Sequence, residues 1–166
     1  MIIYFDTTSW ARLFETGTST IDQESFAMSE IIRRRSELNL DFVTTKFQID
    51  QMYSKVNSIS ITEEEKLVFQ RAVAVCEELA TEFRTYINTE LLEFQKSVKL
   101  CHKEDSIHIV SAWKLKASNF ITADNELFDT KKREIEKTLS NQWHPGIDTH
   151  QHKIYILNPI EFLDSF

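Results

Sequence analysis

Ile2-Ile3-Tyr4-Phe5-Asp6-Thr7-Thr8 opens the chain with an apolar run that ends on a carboxylate. Four β-favouring side chains in succession fit a buried strand. Asp6 then stands where a helix N-cap belongs, ahead of a helix expected over residues 7–14. The pattern returns at Asn119-Phe120-Ile121-Thr122-Ala123-Asp124, again an apolar run closed by an aspartate, with helical spacing over residues 125–139 behind it. Parallel strands need crossover connections, and helices supply them. Repeated strand–helix units therefore predict an α/β domain in three α/β/α layers, with a central, largely parallel sheet of four to five strands. In such sheets sites form beyond the carboxyl ends of the strands, where Asp6 and Asp124 lie.

The intervening chain fills out this plan. Residues 21–38 carry Phe26, Ile31 and Ile32 at helical spacing, and residues 41–45 read as a second strand. A helix with Phe47, Ile49, Met52 and Val56 follows and carries Asp50. Thr62 and Glu65 form a capping-box pattern before a long helix whose Val68, Ala72, Val75, Cys76, Leu79 and Phe83 recur at helical spacing. A further helix over residues 86–94 is expected to make a hairpin with it, and residues 98–100 a short connection or strand. Residues 105–117 read as a helix, 120–122 as a strand, 141–152 as a polar loop with Pro145-Gly146, and 154–157 as the last strand before a short helix.

Composition narrows the class. The 166 residues, 42% hydrophobic and 27% charged, suit one globular domain over residues 1–166. Only 2 Gly and 2 Pro occur, and none lies between Gly17 and Pro145, which favours helices. Two cysteines, Cys76 and Cys101, form no CxxC pair, so neither a disulfide framework nor a zinc signature is expected, and Cys76 falls on an apolar helix face. No leader-like or bilayer-spanning run is read, which points to the cytoplasm. A net charge of −7 disfavours a broad, non-specific nucleic-acid binder. The basic runs Arg33-Arg34-Arg35 and Lys131-Lys132-Arg133 read first as solvated helix faces.

Four carboxylates, Asp6, Asp50, Asp105 and Asp124, close strands or ride on helices that follow them. Singly, each has an ordinary explanation. Asp6 and Asp124 suit N-caps, Asp105 a first helical turn, and Asp50 an exposed helix position. Together they repel one another unless a cation sits among them. Mg²⁺ or Mn²⁺ with oxygen ligands is the expected cofactor, and metal-assisted phosphodiester cleavage the expected chemistry. Thr7, Thr8 and Thr122 are candidates to orient the carboxylates or metal-bound waters. His108 lies one turn after Asp105 and reads as a packing residue. His144, His150 and His152 match no zinc spacing. Trp10 and Trp113 read as core.

Asp105-Ser106-Ile107-His108-Ile109-Val110-Ser111-Ala112 and Phe120-Ile121-Thr122-Ala123-Asp124-Asn125-Glu126-Leu127-Phe128 resemble the D-x-x-H-x-x-x-A helix and T-x-D turn of the PIN-domain nucleases, including toxins of the VapC type. Ile2 to Thr8 resembles their opening strand, and Ile154 to Leu163 their closing strand and P-x-E-F tail. The resemblance spans nearly the whole chain. It implies an acidic quartet of Asp6, Asp50, Asp105 and Asp124, with Asp6, Asp105 and Asp124 as metal ligands. It also implies Mg²⁺- or Mn²⁺-dependent cleavage of RNA, homodimerisation and, in the toxin case, a small antitoxin whose basic tail fills the pocket. The chain has Asp50 where the family usually has Glu, and is longer than compact toxins at residues 63–94 and 141–152. Glu126 and Asp129 are spare acids beside Asp124. Two other classes remain: a non-catalytic PIN-like scaffold or interaction module, and a haloacid-dehalogenase phosphatase. The last requires an aspartate where Thr8 stands.

Overall fold

The structure, a computed structural model, describes residues 1–85, 87–100, 102–140 and 152–166. β1 (Ile2–Phe5) is the middle strand of a five-stranded parallel sheet. Its neighbours are β2 (Asp41–Thr45) and β4 (Asn119–Ile121), with β3 (Thr81–Phe83) and β5 (Tyr155–Leu157) at the edges. The order is β3-β2-β1-β4-β5, and all four pairings are parallel. Strand order reverses between β1 and β4. That is the switch point at which α/β sheets open a crevice beyond their carboxyl ends.

Alternation along β1 divides the core. Ile3 and Phe5 face one side with Phe42, Ile121, Trp10, Met28, Met52 and Phe162, beneath α1 (Thr7–Arg12), α2 (Ser19–Arg33), α3 (Lys46–Val56), α4 (Glu63–Leu79) and α8 (Pro159–Asp164). Tyr4 faces the other with Val43, Phe120 and Ile156, beneath α5 (Asn88–Ser97), α6 (Lys103–Lys114) and α7 (Lys132–Ser140). Both faces of the sheet are thus apolar, which is why its inner strands read as unbroken hydrophobic runs. The expected three-layer α/β/α architecture is the one observed. Cys76 is a buried free thiol, and burial pushes it up to about 12.

Several boundaries depart from expectation. The long helix stops at Leu79 and Phe83 lies on β3, so no helical hairpin joins α4 to α5. Thr81 and Phe83 favour extended backbone, and the open edge of β2 offers them a ladder that outweighs the helical spacing. Residues 98–100 take the first of the two forms expected, a short connection rather than a strand, with Val98 as the C-cap of α5. The helix expected over 125–139 begins as a six-residue π-helix, Glu126–Lys131, before α7. In pure α geometry the step from Leu127 to Ile135 would rotate these side chains apart by roughly 80°. The wider turns absorb that rotation, and both side chains reach the same core. Most of the loop expected over 141–152, with Pro145, Gly146, His144 and His150, lies outside the described residues, as does Cys101. His152 is described and contacts the Ala117 carbonyl oxygen at 2.6 Å.

Candidate functional site

Asp6 follows β1 directly. One oxygen, Oδ1, accepts from the Ser9 backbone N–H at 2.7 Å and caps α1. The Thr8 hydroxyl lies 2.8 Å from both carboxylate oxygens, and Thr122 Oγ1, one residue beyond β4, donates to Oδ2 at 2.5 Å. The parallel register that sets Phe5 beside Ile121 brings Thr122 there. Burial pushes the Asp6 carboxyl up, and these hydrogen bonds pull against it. Thr122 also accepts from the Asp124 backbone N–H at 3.0 Å. Asp124 in turn caps the π-helix, taking the Glu126 and Leu127 backbone N–H groups on Oδ1 at 2.7 and 3.2 Å.

Asp105 arrives from the opposite wall, in the first turn of α6. Its carboxyl is half-buried, and Oδ2 is sealed from solvent with no hydrogen-bond partner. Burial, then the charges of Asp124 and Asp6, push it up to about 7. His108, one turn along, is buried and held down to about 4 by loss of solvent, so its imidazole is neutral. Nδ1 lies 2.9 Å from the Tyr4 hydroxyl and Nε2 lies 2.8 Å from Gln51 Oε1. The same Gln51 oxygen accepts from Thr7 Oγ1 at 2.5 Å.

Asp6, Asp105, Asp124, Thr7, Gln51 and His108 line one cavity of about 510 Å³ at the switch point. A larger hollow of about 730 Å³, between the end of α1 and the start of α4, shares Lys55 and Phe69 with it but contains none of these carboxylates. The site is therefore placed by charge and hydrogen bonding rather than by cavity size. Among the expected acids, Asp50 is not part of the cavity lining. It is exposed on α3 and paired with Lys46 at 2.6 Å. The neighbouring Gln51 occupies the cleft instead, and sequence reasoning passed over it. Helical spacing held the signal: buried Gln48 shares the face of Gln51 and Lys55, whereas Lys46, Asp50 and Tyr53 share the exposed one.

Two residues of each basic run are paired with acids. Arg33 meets Glu30 at 2.7 Å, Arg34 meets Glu37 at 3.2 Å, Lys131 meets Glu134 at 2.9 Å and Lys132 meets Glu161 at 3.0 Å. Trp10 is core, and Trp113 is half-buried.

Among the described residues no group of three His, Cys, Asp or Glu side chains is gathered to hold a metal ion. The donor chemistry nonetheless suits a hard cation. Four acidic side chains, Asp6, Glu104, Asp105 and Asp124, line one cavity together with Lys55, and Asp105 keeps an unused buried oxygen while burial and then its neighbours' charges raise its proton affinity. No helix among the described residues is long and apolar enough to cross a membrane. Comparison of the chain with protein-family models, with curated proteins and with solved structures gives no match.

Proposed function

We propose that the chain is a divalent-metal-dependent ribonuclease that hydrolyses RNA phosphodiester bonds, with Asp6, Asp105 and Asp124 as the ligands of Mg²⁺ or Mn²⁺. The observation that carries this reading is the condition of Asp105, a half-buried carboxyl with an orphaned oxygen, pushed up first by burial and then by the charges of neighbouring carboxylates, Asp124 and Asp6 foremost. A positive charge among the three relieves that repulsion. RNA as substrate rests on the likeness of the Asp105–His108 helix and the Thr122–Asp124 turn to the PIN pattern. A cytoplasmic setting, a homodimer and a toxin role with a small basic-tailed antitoxin belong to the same reading.

The bound cation supplies an acidified water and neutralises charge on the phosphate and the leaving oxygen. The chain's own groups do the rest. One of the site's carboxylates takes the proton released by the attacking water. Thr122 and Thr8 fix Asp6, and the two backbone N–H groups after Asp124 fix that carboxylate. Thr7 and the neutral His108 occupy the Gln51 amide oxygen, which leaves the Gln51 amide N–H groups to donate to a phosphate oxygen. Gathering the three carboxylates on one ion needs side-chain rotation, and Asp105, with its free oxygen, resists rotation least.

One observation favours a second reading, the non-catalytic PIN-like scaffold. Both Asp6 oxygens are already satisfied within the protein, as a purely structural N-cap would be. Cleavage of labelled structured and unstructured RNAs with Mg²⁺, Mn²⁺ or EDTA separates the two. The nuclease requires metal and loses at least about 100-fold in rate in Asp105→Asn. Absence of cleavage with any metal, together with no Mg²⁺ binding by calorimetry, selects the scaffold.

A further inference from the structure

The hollow beside the acidic cavity holds charges that the fold does not use. Among the described residues Lys55 is the one lysine or arginine on the lining of the acidic cavity, yet it pairs with none of the four acids there. Its charge is felt by Glu65, but that carboxylate is taken up in the capping box, where it accepts from the Thr62 backbone N–H at 2.7 Å and hydroxyl at 2.8 Å. Arg71, on the α4 wall of the hollow, likewise has no ion-pair or hydrogen-bond partner among the described residues. Both cations are exposed. Of the other acids on the lining, Glu15 is paired with Arg12 at 2.5 Å, and only Glu64 is left over. Two cations held ready in a chain of net charge −7 suit an anionic occupant.

The order of these groups restricts which anion fits. Lys55 and Phe69 line both the acidic cavity and the hollow, whereas Arg71 lines only the hollow. Leading away from the carboxylates there is thus a cation beside an aromatic ring, then a second cation. A single nucleic-acid strand repeats phosphate and base in that way, with phosphates on Lys or Arg and bases stacked on aromatic side chains. The volume of about 730 Å³ lies in the range of small-ligand pockets, which admits a nucleoside but not two paired strands. Half-buried Phe14, Val68 and Phe69 supply apolar surface for the base. Glu64 and Glu65 keep phosphate from entering deeper, so the uncharged base is the part that enters.

We propose that this hollow is the subsite for the nucleotide next to the scissile phosphate in single-stranded RNA, with Lys55 and Arg71 each holding a backbone phosphate and the base lying against Phe69. The identity of the strand rests on the ribonuclease reading. The subsite adds a requirement to it, that the cut falls in an unpaired stretch.

The probe is a fluorescein-labelled single-stranded RNA of about ten nucleotides, followed by anisotropy in EDTA, where no metal-dependent turnover occurs, over about 50–200 mM salt. The parent binds it at least about tenfold more tightly than the same sequence in a duplex. Lys55→Gln and Arg71→Gln each weaken binding about three- to tenfold at the lowest salt and flatten the slope of log K against log salt by about 0.7, and together by about 1.4. Phe69→Leu keeps the apolar packing and weakens binding about fivefold with the slope unchanged. Both cations are exposed, so their variants unfold at the parent's temperature. A parent that binds no RNA, or binds the duplex as well, overturns the proposal, as do cation variants that keep the parent's slope. So does an arginine-rich peptide that binds the parent and binds Lys55→Gln and Arg71→Gln more tightly, since the hollow then takes a basic occupant. Expected slopes without cleavage under any metal defeat the nuclease reading alone. Metal-dependent cleavage with slopes unchanged in the variants defeats the subsite alone.

Discussion

Asp6 and Asp105 line the same cavity, yet the strand-end floor gives both Asp6 oxygens hydrogen-bond donors, whereas the α6 wall leaves one Asp105 oxygen without any. Beyond β1 and β4, backbone and hydroxyl donors converge because parallel register places them there, and Thr8, Ser9 and Thr122 all point at Asp6. At the start of α6, His102 makes no side-chain cap and no hydroxyl reaches Asp105 Oδ2. Burial raises both carboxyls, but only the wall leaves an oxygen unsatisfied. The floor's network serves the fold, and the wall's deficit serves whatever enters the cavity. Variants at the two positions should therefore change stability in opposite directions.

The largest effect is expected at the floor. Asp6→Ala removes the α1 cap, worth about 1–2 kcal/mol. It also leaves the Thr122 and Thr8 hydroxyls without their acceptor, at about 1–3 kcal/mol for each hydroxyl that stays buried. Thr122 is buried and Thr8 is exposed, so the expected loss is about 2–5 kcal/mol by urea denaturation. A loss below about 1 kcal/mol would mean that the network is dispensable and that the contrast with Asp105 fails.

A smaller effect of opposite sign is expected at the wall. The folded carboxyl of Asp105, near 7, lies above its ordinary value of 3.8, so the folded state holds the proton more tightly. Its contribution to stability is fully present below pH about 3.8 and is lost as pH rises through about 7. At pH 8 a shift of that size amounts to about 4 kcal/mol. Water at the half-exposed carboxyl screens this to about 1–2 kcal/mol. In EDTA at pH 8, Asp105→Asn should be more stable than the parent by that amount, and the gain should vanish towards pH 4. A gain independent of pH would trace to packing rather than charge.

The contrast also explains what the sequence disclosed. Strand ends closed by aspartate were legible because burial of β1 and β4 on both faces demands unbroken apolar runs, and the first polar residue marks the end of each. The cap at Asp6, the Thr62–Glu65 box and the parallel sheet followed from the same local rules. β3 was not legible, because Leu79 and Phe83 continue a helical spacing that only the waiting edge of β2 overrides. Gln51 was missed for a different reason. A search for carboxylates selects Asp50, and the turn of α3 that carries Gln51 into the cavity shows only in the burial of Gln48, Ile49 and Met52.

Asp50 thus gives the smallest effect and the sharpest test of that turn. Its side chain is exposed and its partner is Lys46, one turn earlier on the same outward face. Exposed pairs of this kind contribute little, so Asp50→Asn should shift the melting temperature by no more than about 1 °C. It should also leave any metal-dependent cleavage as it was. Gln51→Ala, by contrast, strips Thr7 and His108 of their shared acceptor and removes the amide offered to the cavity. If Asp50→Asn abolished cleavage while Gln51→Ala did not, α3 would have to present its other face when substrate binds, and the cavity would be the wrong frame for the reaction.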